Sequence, residues 1–298
     1  MKKIHGVIYA MLSSAAFGVT PIWTKDACSR GMNSITVLFF RLLITASMLL
    51  SYFLIKKVDF KISKKQFFNL LFLGIVGYGS TTITLFLSYT YISVGVATTL
   101  HFVYPAVVTI LMILIYREKI HLGKILSILL SVAGVYCLIY TKNMYINTTG
   151  VIFAVISGVF YSIYIIGVDK GEIKEMDVLV STFYVTLIAS VYVFIFGKFT
   201  VGIKIAVTYH TIIDILCIAV ISTLFALVAF VKGIKIIGSS NASILSTFEP
   251  IVSVLLGIVI LNEKITFSIV IGTTLIIFSV LLLTLTEKYY GKTQMNTF

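Results

Sequence analysis

Two stretches of sequence decide the fold: "FVYPAVVTILMILIYREKI" at residues 102–120 and "TFEPIVSVLLGIVILNEKI" at residues 247–265. Each is a long apolar run with a proline near its start, Pro105 in the first and Pro250 in the second. A glutamate follows each proline thirteen residues later, at Glu118 and at Glu263. Chance similarity between apolar segments does not preserve such a spacing, so the chain contains an internal repeat.

The two halves of this repeat also begin alike. "GVIYAMLSSAAF" at residues 6–17 corresponds to "GVIFAVISGVFY" at residues 150–161. Each half holds five apolar stretches of about 17 to 25 residues, and a helix of that length crosses a hydrocarbon core of about 30 Å. The predicted spans are residues 5–24, 34–55, 66–89, 95–116, 123–141, 149–168, 178–197, 211–231, 239–261 and 267–286.

Composition supports a membrane protein. Of 298 residues, 59% are hydrophobic and 11% are charged, and the mean hydropathy is +1.09. Such a chain could not stay in solution as a soluble domain. Because five spans per half is an odd number, we predict an all-α membrane protein of ten transmembrane helices, arranged as two inverted five-helix repeats around a central cavity. The predicted repeats cover residues 1–145 and 146–290, followed by a cytoplasmic tail at 291–298.

The basic residues indicate the orientation. With both termini in the cytoplasm, sixteen of the 23 basic residues fall in cytoplasmic segments and six in external loops, as the positive-inside rule requires. The net charge of +12 is then explained by lipid headgroups and calls for no nucleic acid. We therefore expect a multi-pass protein of the cell membrane.

The quoted motifs, together with "FFRLLITA" at residues 39–46, resemble the EamA-like branch of the drug/metabolite transporter superfamily. The resemblance covers essentially the whole chain. It implies an inverted bundle whose first, third, fourth, sixth, eighth and ninth spans surround a central cavity. It also implies transport of amino acids, drugs, quaternary amines or other small metabolites, commonly outward. The residue before the repeated proline departs from symmetry, being Tyr104 in one half and Glu249 in the other.

Helical stripes of small, polar and aromatic residues mark the faces that could line such a cavity. In the ninth span, Ser239, Ala242, Ser246, Glu249 and Ser253 follow each other at steps of three and four residues, which places them on one face. Equivalent positions in the other spans complete an aromatic-rich pocket suited to a small amine, a zwitterion or an aromatic metabolite. The predicted substrate-binding residues are Phe17, Tyr78, His101, Tyr104, Tyr161, Tyr164, Thr223, Ser246 and Glu249.

Helix packing is the alternative explanation of these stripes, above all for Ser13, Ser157 and Ser253, because small residues let helices approach closely. His101 is not expected to bind a metal, since no second ligand lies at a suitable spacing. No cofactor is expected either.

The charged residues within the spans have different expected roles. Arg41 is about 10 Å from the external end of its helix at 1.5 Å per residue, so we expect a structural side chain that extends outward to the interface. Glu249 is about 15 Å deep and cannot do so. It is a candidate for substrate binding and for coupling to protons, or else a polar group that satisfies the backbone freed by Pro250. Glu118 and Glu263 are expected to end helices and pair with Lys119 and Lys264.

These observations predict a secondary active transporter that exports a small organic solute by alternating access. Its partners would be that solute and the lipid bilayer, with a homodimer as one option for its assembly. A channel or a structural membrane subunit is the alternative. An intramembrane enzyme is disfavoured, because the spans hold no nucleophile with its base and no second acid to partner Glu249.

Overall fold

The computed structural model describes residues 2–92, 94–118, 121–139, 147–206, 208–261 and 267–295, and the regular elements in these ranges are all helices. The first half contains α1 (Lys2–Gly18), α2 (Thr20–Ser29), α3 (Ser34–Lys56), α4 (Lys64–Phe72), α5 (Ser80–Ser88), α6 (Val94–His101), α7 (Tyr104–Tyr116) and α8 (Leu122–Ile139). The second half contains α9 (Thr148–Lys170), α10 (Val178–Phe199), α11 (Tyr209–Ala219), α12 (Ala226–Ile237), α13 (Ser239–Leu245), α14 (Glu249–Leu261) and α15 (Phe267–Met295).

Six helical stretches are long and apolar enough to cross a membrane, and they coincide with the first three and the sixth to eighth predicted spans. The fourth and ninth predicted spans are each divided, into α6 and α7 and into α13 and α14. Shorter apolar helices occupy the fifth and tenth spans. The all-helical prediction is thus confirmed for the described residues, while the count of ten complete crossings stays a prediction.

Polar residues at the loop ends determine where several helices begin. The side chains of Asn33, Asn147 and Asp177 accept hydrogen bonds from backbone amides in the first turns of α3, α9 and α10. Ser63 and Thr208 form reciprocal capping boxes at the starts of α4 and α11. Each cap satisfies amides that the helix itself leaves unpaired, so these helix starts are fixed by local sequence.

The contacts between the halves follow a two-fold pattern. Helix α1 packs on α12 and α14, and its counterpart α9 packs on α5 and α7. Two further pairs, α3 with α10 and α8 with α15, join each helix to its own counterpart. Exchanging the halves therefore exchanges the contacts, as an approximate two-fold axis between two repeats requires.

Irregular helical turns occur at equivalent places in the two halves. Leu73–Gly79 connects α4 to α5 as a π-helix, and Val220–Phe225 connects α11 to α12 in the same way. Helices α6 and α7 are separated just before Pro105, and a 3-10 turn, Ser246–Phe248, separates α13 from α14 just before Pro250. Proline lacks the amide hydrogen that a continuous helix needs, which explains the last two interruptions.

A fifth interruption separates α1 from α2 after Gly18. A Cβ atom at Gly18 would lie 2.9 Å from the backbone oxygen of Glu249, closer than real Cβ contacts come. Only glycine therefore lets α1 approach the start of α14 at this point.

Candidate functional site

Most of the predicted site residues lie at the interruptions of the helices. Tyr78 and Thr223 belong to the two π-helical segments, and His101 and Tyr104 flank the break between α6 and α7. Ser246 begins the 3-10 turn and Glu249 directly follows it. Tyr161 and Tyr164 lie on the continuous helix α9, and Phe17 lies one residue before the end of α1. The interruptions therefore gather residues that are far apart in sequence.

Six of the rings in this region form one buried group, which we call the aromatic cluster: Tyr78, His101, Tyr104, Tyr161, Tyr164 and Phe230. Tyr161 is at its centre, with its ring centroid 4.9 Å from that of Tyr104 in an edge-on contact and 6.0 Å from that of Phe230 in a stacked one. Tyr78 joins through Tyr164, at 5.4 Å between centroids. Rings of both halves thus pack into one unit.

Phe230, on α12, was not among the predicted residues. It is fully buried against Tyr161. Phe17 and Thr223 are outside the cluster: Phe17 packs at the edge of the main core, and the Thr223 hydroxyl donates to the carbonyl of Ile218 in its own helix at 3.0 Å.

Two hydrogen bonds tie the fourth span to the second half through side chains. The Ser157 hydroxyl donates to the Ala154 carbonyl at 2.6 Å and lies 2.9 Å from Nδ1 of His101. Because the single hydroxyl hydrogen is used at Ala154, Nδ1 of His101 is the donor to Ser157. In the same way the Ser246 hydroxyl donates to Ser243, so the Tyr104 hydroxyl donates to Ser246.

The backbone of Tyr104 is held as well, since its carbonyl accepts from the Ser162 hydroxyl at 3.3 Å. Tyr104 therefore bonds to α9 through its backbone and to the 3-10 turn through its side chain. For Ser157 these contacts show helix packing, and the Ser13 hydroxyl likewise donates to the Ala226 carbonyl at 2.7 Å. Ser253 lies outside the described side chains.

Glu249 and Arg41 bring opposite charges to this region. Glu249 is partly buried, whereas the Arg41 side chain is only 7% exposed. The outward extension that we expected of Arg41 is therefore wrong: the guanidinium is enclosed by the bundle. Each charge acts electrostatically on the other and on the phenols of Tyr78 and Tyr89.

A polar group that we call the latch joins the halves at the end of the bundle where α7 ends and α13 begins. The Lys124 ammonium, on a side chain 2% exposed, lies 2.6 Å from the Glu118 carboxylate. The Ser240 hydroxyl donates to the other oxygen of Glu118 at 2.9 Å. Glu118 does end a helix as predicted, but the partner seen is Lys124, since Lys119, Glu263 and Lys264 lie outside the described residues.

Asp169, at the end of α9, strengthens the same end. Its carboxylate accepts from the Ser239 amide at 3.1 Å and from the Ser239 hydroxyl at 2.9 Å, and so caps α13. Lys170 and Lys174 lie 3.6 and 3.8 Å from this carboxylate. A cavity of about 360 Å³ opens beside these groups and beside Glu118. Asp169 and Lys124 were not predicted as site residues, because the sequence placed them only at the ends of predicted spans.

Comparison with known proteins identifies the family. Residues 4–140 and 148–285 each match the EamA-like transporter family. The chain belongs to that family.

Similar proteins include several that are named as transporters. An uncharacterized inner membrane transporter of Salmonella typhimurium, YicL, is 23% identical over 290 residues, which span 95% of this chain and 96% of that protein. An uncharacterized transporter of Archaeoglobus fulgidus is 26% identical over 208 residues, covering 70% of this chain and 74% of the relative. A solved crystal structure superposes with a TM-score of 0.84 over 96% of this chain and 98% of its own, at 13% identity, and this likeness concerns the fold alone.

Two kinds of side chain lie in this part of the EamA-like transporter. The aromatic cluster offers ring faces, which attract apolar groups and cations. Arg41 and Glu249 are two ionisable side chains that are coupled electrostatically to its tyrosines. In the latch, by contrast, the polar groups are already paired with one another.

Proposed function

We propose that the protein is a secondary transporter that moves a small organic solute out of the cell by alternating access, with both termini in the cytoplasm. The observation that carries this proposal is that the interruptions of the first half bring Tyr78, His101 and Tyr104 into the aromatic cluster. There the Tyr104 hydroxyl bonds to Ser246 in the 3-10 turn of the second half. Interrupted helices at the boundary between repeats are typical of transporter binding sites, because they free backbone groups and permit local bending.

The aromatic cluster has a defined role in this proposal. Tyr78, Tyr104, Tyr161 and Tyr164 would contact the solute with their rings, and His101 would accept a hydrogen bond at its second ring nitrogen. The rings of the cluster contact one another directly, so a solute must displace some of these rings as it binds. Binding would then be coupled to relative movement of the halves, which alternating access requires.

The latch supports a gate at one end of the pathway. It contains Glu118 and Lys124 from the first half and Ser240 from the second. From the distribution of basic residues, this end faces the cytoplasm. Breaking these bonds while the opposite end closes would expose the cluster to the cytoplasm.

Solute flux into liposomes that contain the purified protein tests the proposal. A panel of labelled amino acids, quaternary amines and aromatic amines is offered, and saturation and counterflow are measured for each. Saturable uptake that an internal pool of unlabelled solute accelerates is the expected result. Flux that rises linearly with concentration would indicate a channel, and the absence of flux for the whole panel would favour a structural subunit.

A further inference from the structure

We propose that the cavity of about 360 Å³ beside the latch binds the phosphate group of an anionic phospholipid. This site is separate from the aromatic cluster, and its existence does not depend on transport. Its basis is that three lysine side chains, Lys170, Lys174 and Lys235, line one cavity whose two carboxylates already have protein partners.

The three lysines come from two places in the second half of the chain. Lys170 ends α9 and Lys174 follows it in the turn, while Lys235 lies in the last turn of α12. The ammonium nitrogens of Lys170 and Lys174 lie 3.6 and 3.8 Å from the same carboxylate, that of Asp169. Two positive charges are therefore concentrated at one wall of the cavity, and Lys235 adds a third to its lining.

These ammonium groups have unused hydrogen-bond donors. At 3.6 and 3.8 Å, the contacts of Lys170 and Lys174 with Asp169 are ion pairs longer than hydrogen bonds. Lys235 donates to the Met176 carbonyl at 2.6 Å, which uses one of its three ammonium hydrogens. Phosphate oxygens are strong acceptors, so they can bond to the remaining hydrogens while Lys170 and Lys174 stay beside Asp169.

The two carboxylates of the lining are already bonded to protein groups. Glu118 pairs with the buried Lys124 at 2.6 Å and accepts from the Ser240 hydroxyl. Asp169 accepts two hydrogen bonds from Ser239, at 3.1 and 2.9 Å. The polar lining that is left for a ligand therefore consists mainly of ammonium groups, which favour an anion.

The position of the cavity favours a lipid over a soluble phosphate. It lies where α7, α9 and α12 end, and the proposed orientation places these ends at the cytoplasmic leaflet, in which anionic lipids attract basic residues. Tyr116 and Ile236 also line the cavity, with 46% and 38% of their side chains exposed. Exposed apolar groups at the end of a transmembrane helix contact acyl chains. A headgroup bound at the lysines can therefore keep its chains in the bilayer.

A net negative headgroup should bind better than a zwitterionic one. Phosphatidylcholine carries the same phosphate as phosphatidylglycerol, but its quaternary ammonium would add a positive charge beside the lysines. Each lysine near an anionic headgroup strengthens binding about fivefold. Removing Lys170 and Lys174 together should therefore weaken the binding of phosphatidylglycerol at least about tenfold.

Native mass spectrometry of the purified, full-length protein tests the site. Phosphatidylglycerol and phosphatidylcholine with identical acyl chains are titrated in detergent, and the dissociation constant of the first bound lipid is measured. Phosphatidylglycerol should bind at least about tenfold more tightly than phosphatidylcholine, and also than glycerol 3-phosphate, which lacks acyl chains. Equal affinity for the two lipids would overturn the proposed anion site. Equal affinity for glycerol 3-phosphate would overturn the assignment to a lipid.

Paired variants locate the bound lipid. Lys170→Gln with Lys174→Gln should produce the tenfold loss, and these side chains are 31% and 43% exposed, so glutamine fits there. Lys170→Arg with Lys174→Arg keeps both charges and should keep the affinity within about twofold. The matched control is Lys61→Gln with Lys64→Gln, which removes two exposed lysines outside the cavity lining and should change the affinity less than about twofold. If both glutamine pairs weaken binding equally, the basic surface as a whole attracts the lipid and the proposal is wrong.

Discussion

At the scale of single residues, Tyr104 holds the two halves together at the aromatic cluster. Its hydroxyl donates to Ser246, and its ring packs edge-on against Tyr161. Tyr104→Phe keeps the ring and removes only the hydrogen bond. We expect a loss of about 0.6 to 1.7 kcal/mol in stability, the range for hydrogen bonds between membrane helices, together with an altered rate of solute exchange. Thermal unfolding in detergent and counterflow in liposomes measure the two effects.

Tyr184→Phe is the control for this prediction. The Tyr184 hydroxyl donates to the Phe60 carbonyl at 3.1 Å, away from the cluster. The two variants should lose similar stability, and only the change at Tyr104 should affect exchange. Equal effects on exchange would mean that the bond to Ser246 has no part in transport.

Glu249 should make transport depend on pH. Protonation removes the charge that would pair with an ammonium group, so we expect solute affinity to fall as pH is lowered from about 8 to 5. Glu249→Gln keeps the shape of the side chain and should remove this dependence, while Glu249→Ala should also be less stable because it leaves a cavity. The charged and titratable groups coupled electrostatically to Glu249 are Arg41, Tyr78, Tyr89, Tyr104 and Tyr161.

Binding titrations from pH 5 to 8 provide the measurement. A glutamine variant with the pH profile of the wild type would leave Glu249 as a polar group beside Pro250. The glutamine and alanine variants are compared by thermal unfolding in the same buffers.

The sequence identified Glu249 because an acid inside an apolar span is conspicuous by itself. It did not reveal that Arg41 is enclosed, because the length of its side chain allows two directions and only packing selects one. Phe230 was not predicted for a related reason. An apolar residue in an apolar span does not show in the sequence which residues it contacts. A charged residue within an apolar span can thus be recognised from the sequence, but its contacts with other helices cannot.

At the scale of helices, the π-helical segments depend on hydroxyl groups. The Ser80 hydroxyl donates to the Ile75 carbonyl at 2.9 Å, and that of Thr223 donates to the Ile218 carbonyl at 3.0 Å, each five residues earlier. These bonds supply donors to carbonyls in or just before the irregular turns. Thr223→Val should therefore destabilise Val220–Phe225, with faster amide hydrogen exchange in that segment.

Thr274→Val is the matched control for this substitution. The Thr274 hydroxyl returns to the carbonyl of Val270, four residues earlier, in the regular helix α15. A regular helix already satisfies that carbonyl, so exchange around Thr274 should change little. If both variants show the same small effect, the hydroxyl of Thr223 does not support the π-helix.

Helix positions followed from hydropathy, because hydrocarbon selects apolar stretches of fixed length. The loss of a backbone hydrogen bond at Pro250 was also predicted, since proline removes a hydrogen-bond donor, but the division of the fourth span before Pro105 was not. The π-helical segments were not predicted, because one extra residue in a turn does not change the hydropathy of the span. The break after Gly18 depends on a close approach to α14, which is a property of the assembled bundle.

At the scale of the whole molecule, the latch should bias the protein towards the state closed at that end. Glu118→Gln removes the partner of the buried Lys124 and should cost about 2 to 4 kcal/mol in the closed state, since Glu118 keeps some exposure. A cysteine in place of the buried Ser243, one turn deeper than Ser240, reports on opening. It should react faster with a thiol reagent in the Glu118→Gln background.

Glu172→Gln is the comparison for the latch. Lys65 and Glu172 form an ion pair of the same length, 2.6 Å, with side chains 78% and 41% exposed. An exposed pair contributes about 1 kcal/mol or less, so Ser243→Cys should react at its original rate. Equal acceleration in both backgrounds would show that Glu118 does not act as a gate.

Impermeant thiol labelling in intact cells tests the orientation. In a chain whose three native cysteines are replaced by serine, Val201→Cys should react from outside and Lys61→Cys should not, given the excess of basic residues expected in the cytoplasm. Both positions are exposed in loops. Reactivity of Lys61→Cys with protection of Val201→Cys would place the termini outside.

The cross-pairing of the halves has a consequence for biosynthesis. Ribosomes add about 5 to 20 residues per second. At that rate α1 must wait about 11 to 44 seconds for α12, and α5 about 4 to 16 seconds for α9, to enter the membrane. During that interval the faces that will meet the second half, including the Tyr104 side of α7, are covered only by lipid or by other proteins. Early helices that remain apart until their partners arrive are clients for membrane chaperones, and slower translation would lengthen their exposure to quality-control proteases.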